Sequence, residues 1–232
     1  MNRKFVFSPG EFYHVWSRGV DRRDVFKSDE DRGNFLNLLY VSNATNRIQL
    51  SLLPKNLDPL DIPREETLAD IGSYSLLTNH LHLLVKEKNE GGISAFLQKL
   101  LTAHSMFFNK KYGRSGPLFV RPFGAEHSNN DVYLRYLFAY VNLNPISVAV
   151  PKWKEGINNA QFARIKEFLR KYKYSSYFDL CGNGRKAGKI LNLKVFPEYF
   201  SSGVEFETLL DDYLKFNLNN LKASPFKGVA FG

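Results

Sequence analysis

Two of the chain's five histidines stand one residue apart, in His80-Leu81-His82. Ser75, Leu76 and Leu77 before the pair and Leu83, Leu84 and Val85 after it belong on a strand that is otherwise buried. Strand side chains alternate, so both imidazoles point one way while Leu81 enters the opposite layer. Two imidazoles on one face are the minimum protein contribution to a metal site, although packed or surface histidines have the same spacing. A second constellation lies at 131–145, a segment that Asn129, Asn130 and Asp131 can cap as a helix and that must end near Asn144, before Pro145. Tyr133, Tyr136 and Tyr140 fall at i, i+3 and i+7 on one helix face, where core packing is the ordinary reading. Asn144 follows on the same face one turn later, its amide oxygen a candidate third ligand where that face looks at the histidines.

The elements that would carry these residues can be read in order. Residues 11–18 have strand character, and Ser28 to Asp31 cap a helix whose apolar positions run to about residue 42. An irregular, Pro- and Asp-rich excursion at 43–70 holds one candidate strand at 48–52. Strands at 71–77 and 80–86 meet at the tight turn Thr78-Asn79, and a helix follows over 94–112. A fourth strand is expected at 118–125, then the tyrosine helix. Strand, helix, strand, strand, helix, strand, helix is an α+β plan, an antiparallel ferredoxin-like or RRM-like sheet backed by helices. Residues 1–150 would form this unit, and 151–232 a helical and irregular C-terminal extension ending in a basic tail, with helices near 159–171 and 204–216.

Charge points to the partner. The 232 residues carry a formal net charge of +9, and no acidic residue lies between Glu90 and Glu126. Lys99, Lys110, Lys111, Arg114 and Arg121 fall inside that stretch, interleaved with Tyr112, Phe119 and Phe123. Cations for phosphate beside aromatics for bases are what a single-strand binder needs; a solvated helix face gives the same pattern. A second acid-free stretch at 180–197, with Arg185, Lys186, Lys189 and Lys194, reads as a phosphate-binding arm or a loop. No apolar run approaches the roughly 20 residues needed to cross a bilayer, and Cys181 is alone. A cytoplasmic protein is expected.

Taken together the motifs resemble a known family. The segment from Thr78 through Val85 looks like the His-hydrophobic-His signature of the IS200-like single-tyrosine (HUH) transposases. The helix end Tyr140-Val141-Asn142-Leu143-Asn144-Pro145 is similar to the tyrosine helix of their REP-associated branch. Tyr13-His14-Val15 with Arg18-Gly19, Phe108-Asn109, the run from Tyr112 to Gly116, Leu118-Phe119, Phe123 and Ser175-Ser176-Tyr177 also fit. Three features depart from the pattern: Thr78 where proline is usual, Val120-Arg121-Pro122 in strand four, and an inserted excursion near 56–70 with an added helix before Tyr172.

The resemblance implies that His80 and His82 hold a divalent metal, that Asn144 completes the protein ligands, and that Tyr140 is the nucleophile. Mg²⁺ or Mn²⁺ would serve; two imidazoles and an amide oxygen favour Mn²⁺, phosphate chemistry and availability Mg²⁺. The implied activity is cleavage and rejoining of single-stranded DNA, hairpin-containing repeats above all, through a 5′-phosphotyrosine. Lys110, Lys111, Arg114 and Arg121 are the expected nucleic-acid contacts. The implied assembly is either a homodimer that shares its active sites or a monomer. Two other readings use the same sheet: a non-catalytic single-strand binder, and a metal-dependent phosphodiesterase that uses water. His14 is expected to be structural or DNA-contacting, His104 to pack or face solvent, and His127 to sit in a capping loop.

Overall fold

The computed structural model describes residues 6–151, 153 and 157–219. The basic end of the tail, from residue 220, lies outside the described residues. Strands β1 (Phe12–Arg18), β2 (Ala69–Leu76), β3 (His80–Glu87) and β4 (Gly124–His127) form one antiparallel sheet in the order β2-β3-β1-β4. Helix α1 (Asp29–Val41) follows β1, α2 (Gly92–Lys111) follows β3, and α3 (Asp131–Leu143) follows β4. The strand order and the placement of α1 and α2 are those of the ferredoxin-like plan.

Local chemistry explains the helix starts. Ser28 accepts from the Asp31 backbone while the Asp31 carboxylate accepts from the Ser28 N–H, a reciprocal cap on α1. Asn130 accepts from Tyr133 N at the start of α3. Two expectations need correction. Residues 48–52 form no strand; Leu50–Leu52 is a single 3-10 turn that buries none of its residues, so no core face fixes a strand there. The fourth strand begins at Gly124, not at residue 118, because Pro122 has no N–H for the ladder. The earlier part keeps only isolated contact with β1, through Gly19 opposite Phe119 and Val120 N donating to Arg18 O at 2.8 Å.

Two cores lie on the two sides of the sheet. Val15, Leu81, Leu83 and Val85 point into the first, under Phe35 of α1 and Phe96 of α2. The second is built on α3 and receives the C-terminal elements α5 (Asn159–Lys171), α6 (Tyr177–Leu180) and α7 (Gly203–Asn219), which follow the short α4 (Ile146–Ala149). C-terminal chain also closes the outer edge of β2, where Leu76 N donates to Tyr174 O at 3.0 Å and Ser176 N to Tyr74 O at 2.9 Å. A buried polar knot, Ser73, Asn142 and Ser176, ties β2, α3 and this segment together at 2.8–3.0 Å. α7 is anchored by Glu207. Burial opposes its charge, but bonds from Tyr177, Arg170 and Lys166 hold the carboxyl down to about 2.

Three of the four cations in the acid-free stretch at 180–197 are engaged by carboxylates. Lys186 pairs with Asp58 and Asp61 at 2.9 and 2.7 Å, Lys189 with Asp61 at 2.8 Å, and Arg185 with Asp179 at 2.8 Å. Its cations dock the 56–70 excursion and the C-terminal segment onto each other.

Candidate active site

β1 and β3 run side by side with Trp16 opposite His82 and Arg18 opposite His80. Alternation therefore puts His14, Trp16, Arg18, His80 and His82 on one face, and α3 lies over that face. His82 Nδ1 and His14 Nε2 are 2.9 Å apart, and the two rings are stacked with centroids 5.1 Å apart. Trp16 also stacks with His14, at 5.0 Å. It can lie there because Gly124, opposite it on β4, has no side chain; a Cβ would come within 2.1 Å of the indole. His80 sits edge-on to His82 at 5.0 Å, and its Nδ1 is 2.6 Å from Asn79 Oδ1.

From above, Tyr140 presents its ring edge-on to both His14 and His82, with centroids 5.3 and 5.8 Å away. The residues that are far apart in sequence do meet. Tyr140 is 3% exposed, His82 and His14 2% each, and Asn144 6%. Burial pushes the Tyr140 phenol up to about 12. A hydrogen bond from Asn144 and the charge of Arg18 oppose the rise, while Tyr213 and Glu126 add to it. Asn144 also donates from Nδ2 to the Tyr140 carbonyl at 2.9 Å, so this amide is held against the tyrosine. Tyr136 and Tyr133 are packing residues: Tyr136 shares a 3.0 Å hydroxyl contact with Tyr213 of α7, and burial raises the phenols of both.

No family model matches the chain, and no curated protein matches it. A solved structure does. It is a REP-associated tyrosine transposase bound to a REP hairpin, 10% identical, covering 81% of this chain and 90% of that one, with a TM-score of 0.48.

Among the described residues no group of three His, Cys, Asp or Glu side chains is arranged to hold a metal. The Asn144 amide bonds Tyr140; taken with His80 and His82 it makes up an N/O donor set, a chemistry compatible with Mn²⁺ or Mg²⁺. Each imidazole also has its Nδ1 engaged by a neighbour, the usual support for a ligating histidine.

The four expected nucleic-acid contacts divide. Lys110 and Arg121 are exposed. Arg114 braces its own turn, donating to Asn109 Oδ1 at 2.5 Å and to Pro117 O at 3.2 Å. Lys111 joins α2 to α1, pairing with Glu30 and Asp31 at 2.7 Å each. Arg121 lines a groove of about 910 Å³ between α2 and the 116–123 loop, together with Leu101, Phe119 and Phe123. That loop runs beside the end of β1 that carries Arg18.

His14, expected to be structural or DNA-contacting, bonds His82, while Trp16, Glu126 and Tyr213 drew no site reading from the sequence. The alternation in Tyr13-His14-Val15-Trp16 held a signal for His14 and Trp16. Tyr213 reaches the tyrosines from α7, 77 residues after Tyr136, and nothing local marks it. Of the other histidines, His104 packs among Phe26, Phe35 and Phe119 with Nε2 bonded to Val25 O at 2.9 Å. His127 pairs with Glu11 at 2.7 Å.

Proposed function

We propose that the chain is a metal-dependent single-stranded DNA endonuclease and strand transferase that acts through a 5′-phosphotyrosine on Tyr140. The observation that carries this reading is the meeting of Tyr140 with the histidine-bearing face of β1 and β3. His80, His82 and Asn144 would hold Mg²⁺ or Mn²⁺, which when bound would neutralise charge on the scissile phosphate. The Tyr140 oxygen attacks phosphorus, an O–P bond forms, the P–O3′ bond breaks, and the departing 3′-oxygen takes up a proton. The phosphodiester is conserved in the protein–DNA bond, so a second 3′-hydroxyl can reverse the step and join strands. A phenol raised to about 12 is almost wholly neutral at pH 7, so its proton must leave as attack proceeds. Arg18 and the Asn144 bond favour the phenolate. Tyr140 is 3% exposed, so the surroundings of the phenol must open for a phosphate to reach it.

Hairpin-containing repeats are the proposed substrate, on the resemblance of the motifs. The groove holding Arg121, with Lys110 nearby on α2, is the proposed route for the strand. The phenol and the imidazoles it meets belong to one chain, the arrangement a cis-acting site requires; a homodimer with shared sites is the other assembly. Among the described residues no helix is long and apolar enough to cross a membrane, and the lone Cys181 suits a reducing cytoplasm. A non-catalytic binder on an open, RRM-like sheet has less support, because α3 covers the face such a binder would use.

The test is incubation with single-stranded hairpin DNA and Mn²⁺, followed by denaturing electrophoresis. A denaturation-resistant protein–DNA band is expected, absent in EDTA and absent in Tyr140→Phe, which should still bind the DNA. Cleavage by Tyr140→Phe would overturn the assignment. Cleavage that leaves no DNA on the protein would favour the water-using phosphodiesterase.

A further inference from the structure

The two histidines of β3 are each held by a different neighbour through the same ring atom. Asn79 Oδ1 lies 2.6 Å from His80 Nδ1, and His14 Nε2 lies 2.9 Å from His82 Nδ1. We propose that Asn79 and His14 are positioning residues that fix the tautomers of His80 and His82, so that both present Nε2 to a divalent cation. The inference rests on the metal-dependent reading above and names residues that reading does not use.

The Asn79 half follows from the hydrogen-bond inventory. Its amide nitrogen donates to Arg22 O at 3.2 Å, and this fixes which way the amide is turned. The oxygen that faces His80 has no proton to give, so His80 Nδ1 is the donor. A neutral imidazole protonated at Nδ1 carries its lone pair on Nε2. The backbone oxygen of Asn79 accepts from Gly19 N at 2.8 Å, so the turn that aims His80 is itself tied to the end of β1. In a second arm the Nδ1 proton of His82 is received by His14 Nε2. The opposite transfer would protonate His82 at Nε2 and remove the lone pair a cation needs. His14 can play the acceptor because its ring is clamped, stacked on Trp16 at 5.0 Å and edge-on to Tyr140 at 5.3 Å. His14 also touches the nucleophile, so it would set the ligand ring and the phenol in one frame.

The experiment combines Mn²⁺ titration calorimetry with ¹⁵N NMR of histidine-labelled, full-length protein. Wild-type apoprotein should show His80 protonated at Nδ1, and His82 likewise once Mg²⁺ is added. His14→Phe and Asn79→Leu should each weaken Mn²⁺ binding about 10–100-fold, the range for lost orienting partners. His14→Gln, whose side-chain oxygen can still accept from His82, should stay within about threefold of wild type, which a merely space-filling role would not predict. The circular dichroism spectrum and its thermal transition should be retained in all three variants; a variant that loses them has lost its fold, and the wild-type and His14→Gln NMR spectra then decide. His80 protonated at Nε2, or Mn²⁺ affinity unchanged in both His14→Phe and Asn79→Leu while His82→Ala abolishes it, would overturn the positioning role and leave the metal reading standing. No Mn²⁺ binding by wild type would bring down the metal reading itself.

Discussion

The two faces of the sheet are made from the same strands and do opposite things. Toward α1 and α2 the strands send Val15, Leu81, Leu83 and Val85, all fully buried among aromatic and aliphatic side chains. Toward α3 they send His14, His82, Ser73 and Ser75, just as buried, with Asn142 and Tyr140 packed on them. Each face also has a deeply buried histidine. His104, among phenylalanines, bonds a single backbone carbonyl and burial depresses its pKa to about 4. His82 meets another imidazole and a phenol. The two rings are both buried and differ in company: His104 meets hydrocarbon and one carbonyl, His82 an imidazole and a phenol.

The largest effect that tests this contrast is on stability. Phe35→Ala on the apolar side removes a wholly buried ring and should cost roughly 3–5 kcal/mol. His82→Ala on the other side should cost well under half of that, while abolishing any response of the protein to Mn²⁺. Urea denaturation of both variants checks the pair. Equal costs would mean that the α3 face is also chiefly a stabilising core.

Next in size is a pH effect that belongs to one face only. His104 titrates near 4 in the folded chain and near 6.5 when unfolded. As pH falls below 6.5 the unfolded state takes up the proton first, so this group's contribution is intact above 6.5 and lost progressively down to about 4. The full loss is on the order of 3 kcal/mol. His104→Gln, which can still donate to Val25 O, should flatten the fall in stability between pH 6.5 and 4. An unchanged pH profile would remove His104 as its source.

Smaller again is the junction of α1 and α2. Asp31 is fully buried, its ionised form favoured despite burial by bonds from Lys111, Tyr112 and the Lys27 and Ser28 backbone. Lys111→Ala should lower the melting temperature measurably, because it strips a cation from a buried carboxylate. The same loss should be absent in Lys110→Ala.

Why some of this was legible in the sequence and some was not follows from the distance between partners. The Ser28–Asp31 cap and the Asn130 cap are closed within four residues, and the helices begin where the residue types say. The common face of His80 and His82 needs only strand alternation. The fold class came through because each element carried its own period. The bond of His14 to His82 was not legible because its partner is 68 residues away. Lys111 read as a phosphate contact because its partner Asp31 is 80 residues away, and Lys186 as part of an arm because Asp58 is 128 residues away. Residues 118–123 have strand composition, yet pairing depends on a donor that Pro122 lacks.

The smallest expected effect separates cations that hold the fold from cations offered to a polyanion. Lys111 and Arg121 are both basic residues of the acid-free stretch, and sequence gives no reason to rank them. Lys111 is engaged by two carboxylates, whereas Arg121 is exposed on the rim of the α2 groove. A cation that neutralises one phosphate releases about one counterion, so its loss lowers the slope of log K against log salt by roughly 1. Arg121→Ala should therefore weaken hairpin binding severalfold at low salt and reduce the slope by about that amount, with the melting temperature unchanged. Lys111→Ala should do the reverse, destabilising the protein and leaving the slope as it was, since its charge is already answered by Glu30 and Asp31. Fluorescence anisotropy across a salt series measures both. If Lys111→Ala lowers the slope and Arg121→Ala does not, the groove is not the route of the strand, and the α1–α2 junction takes its place as the surface that meets DNA.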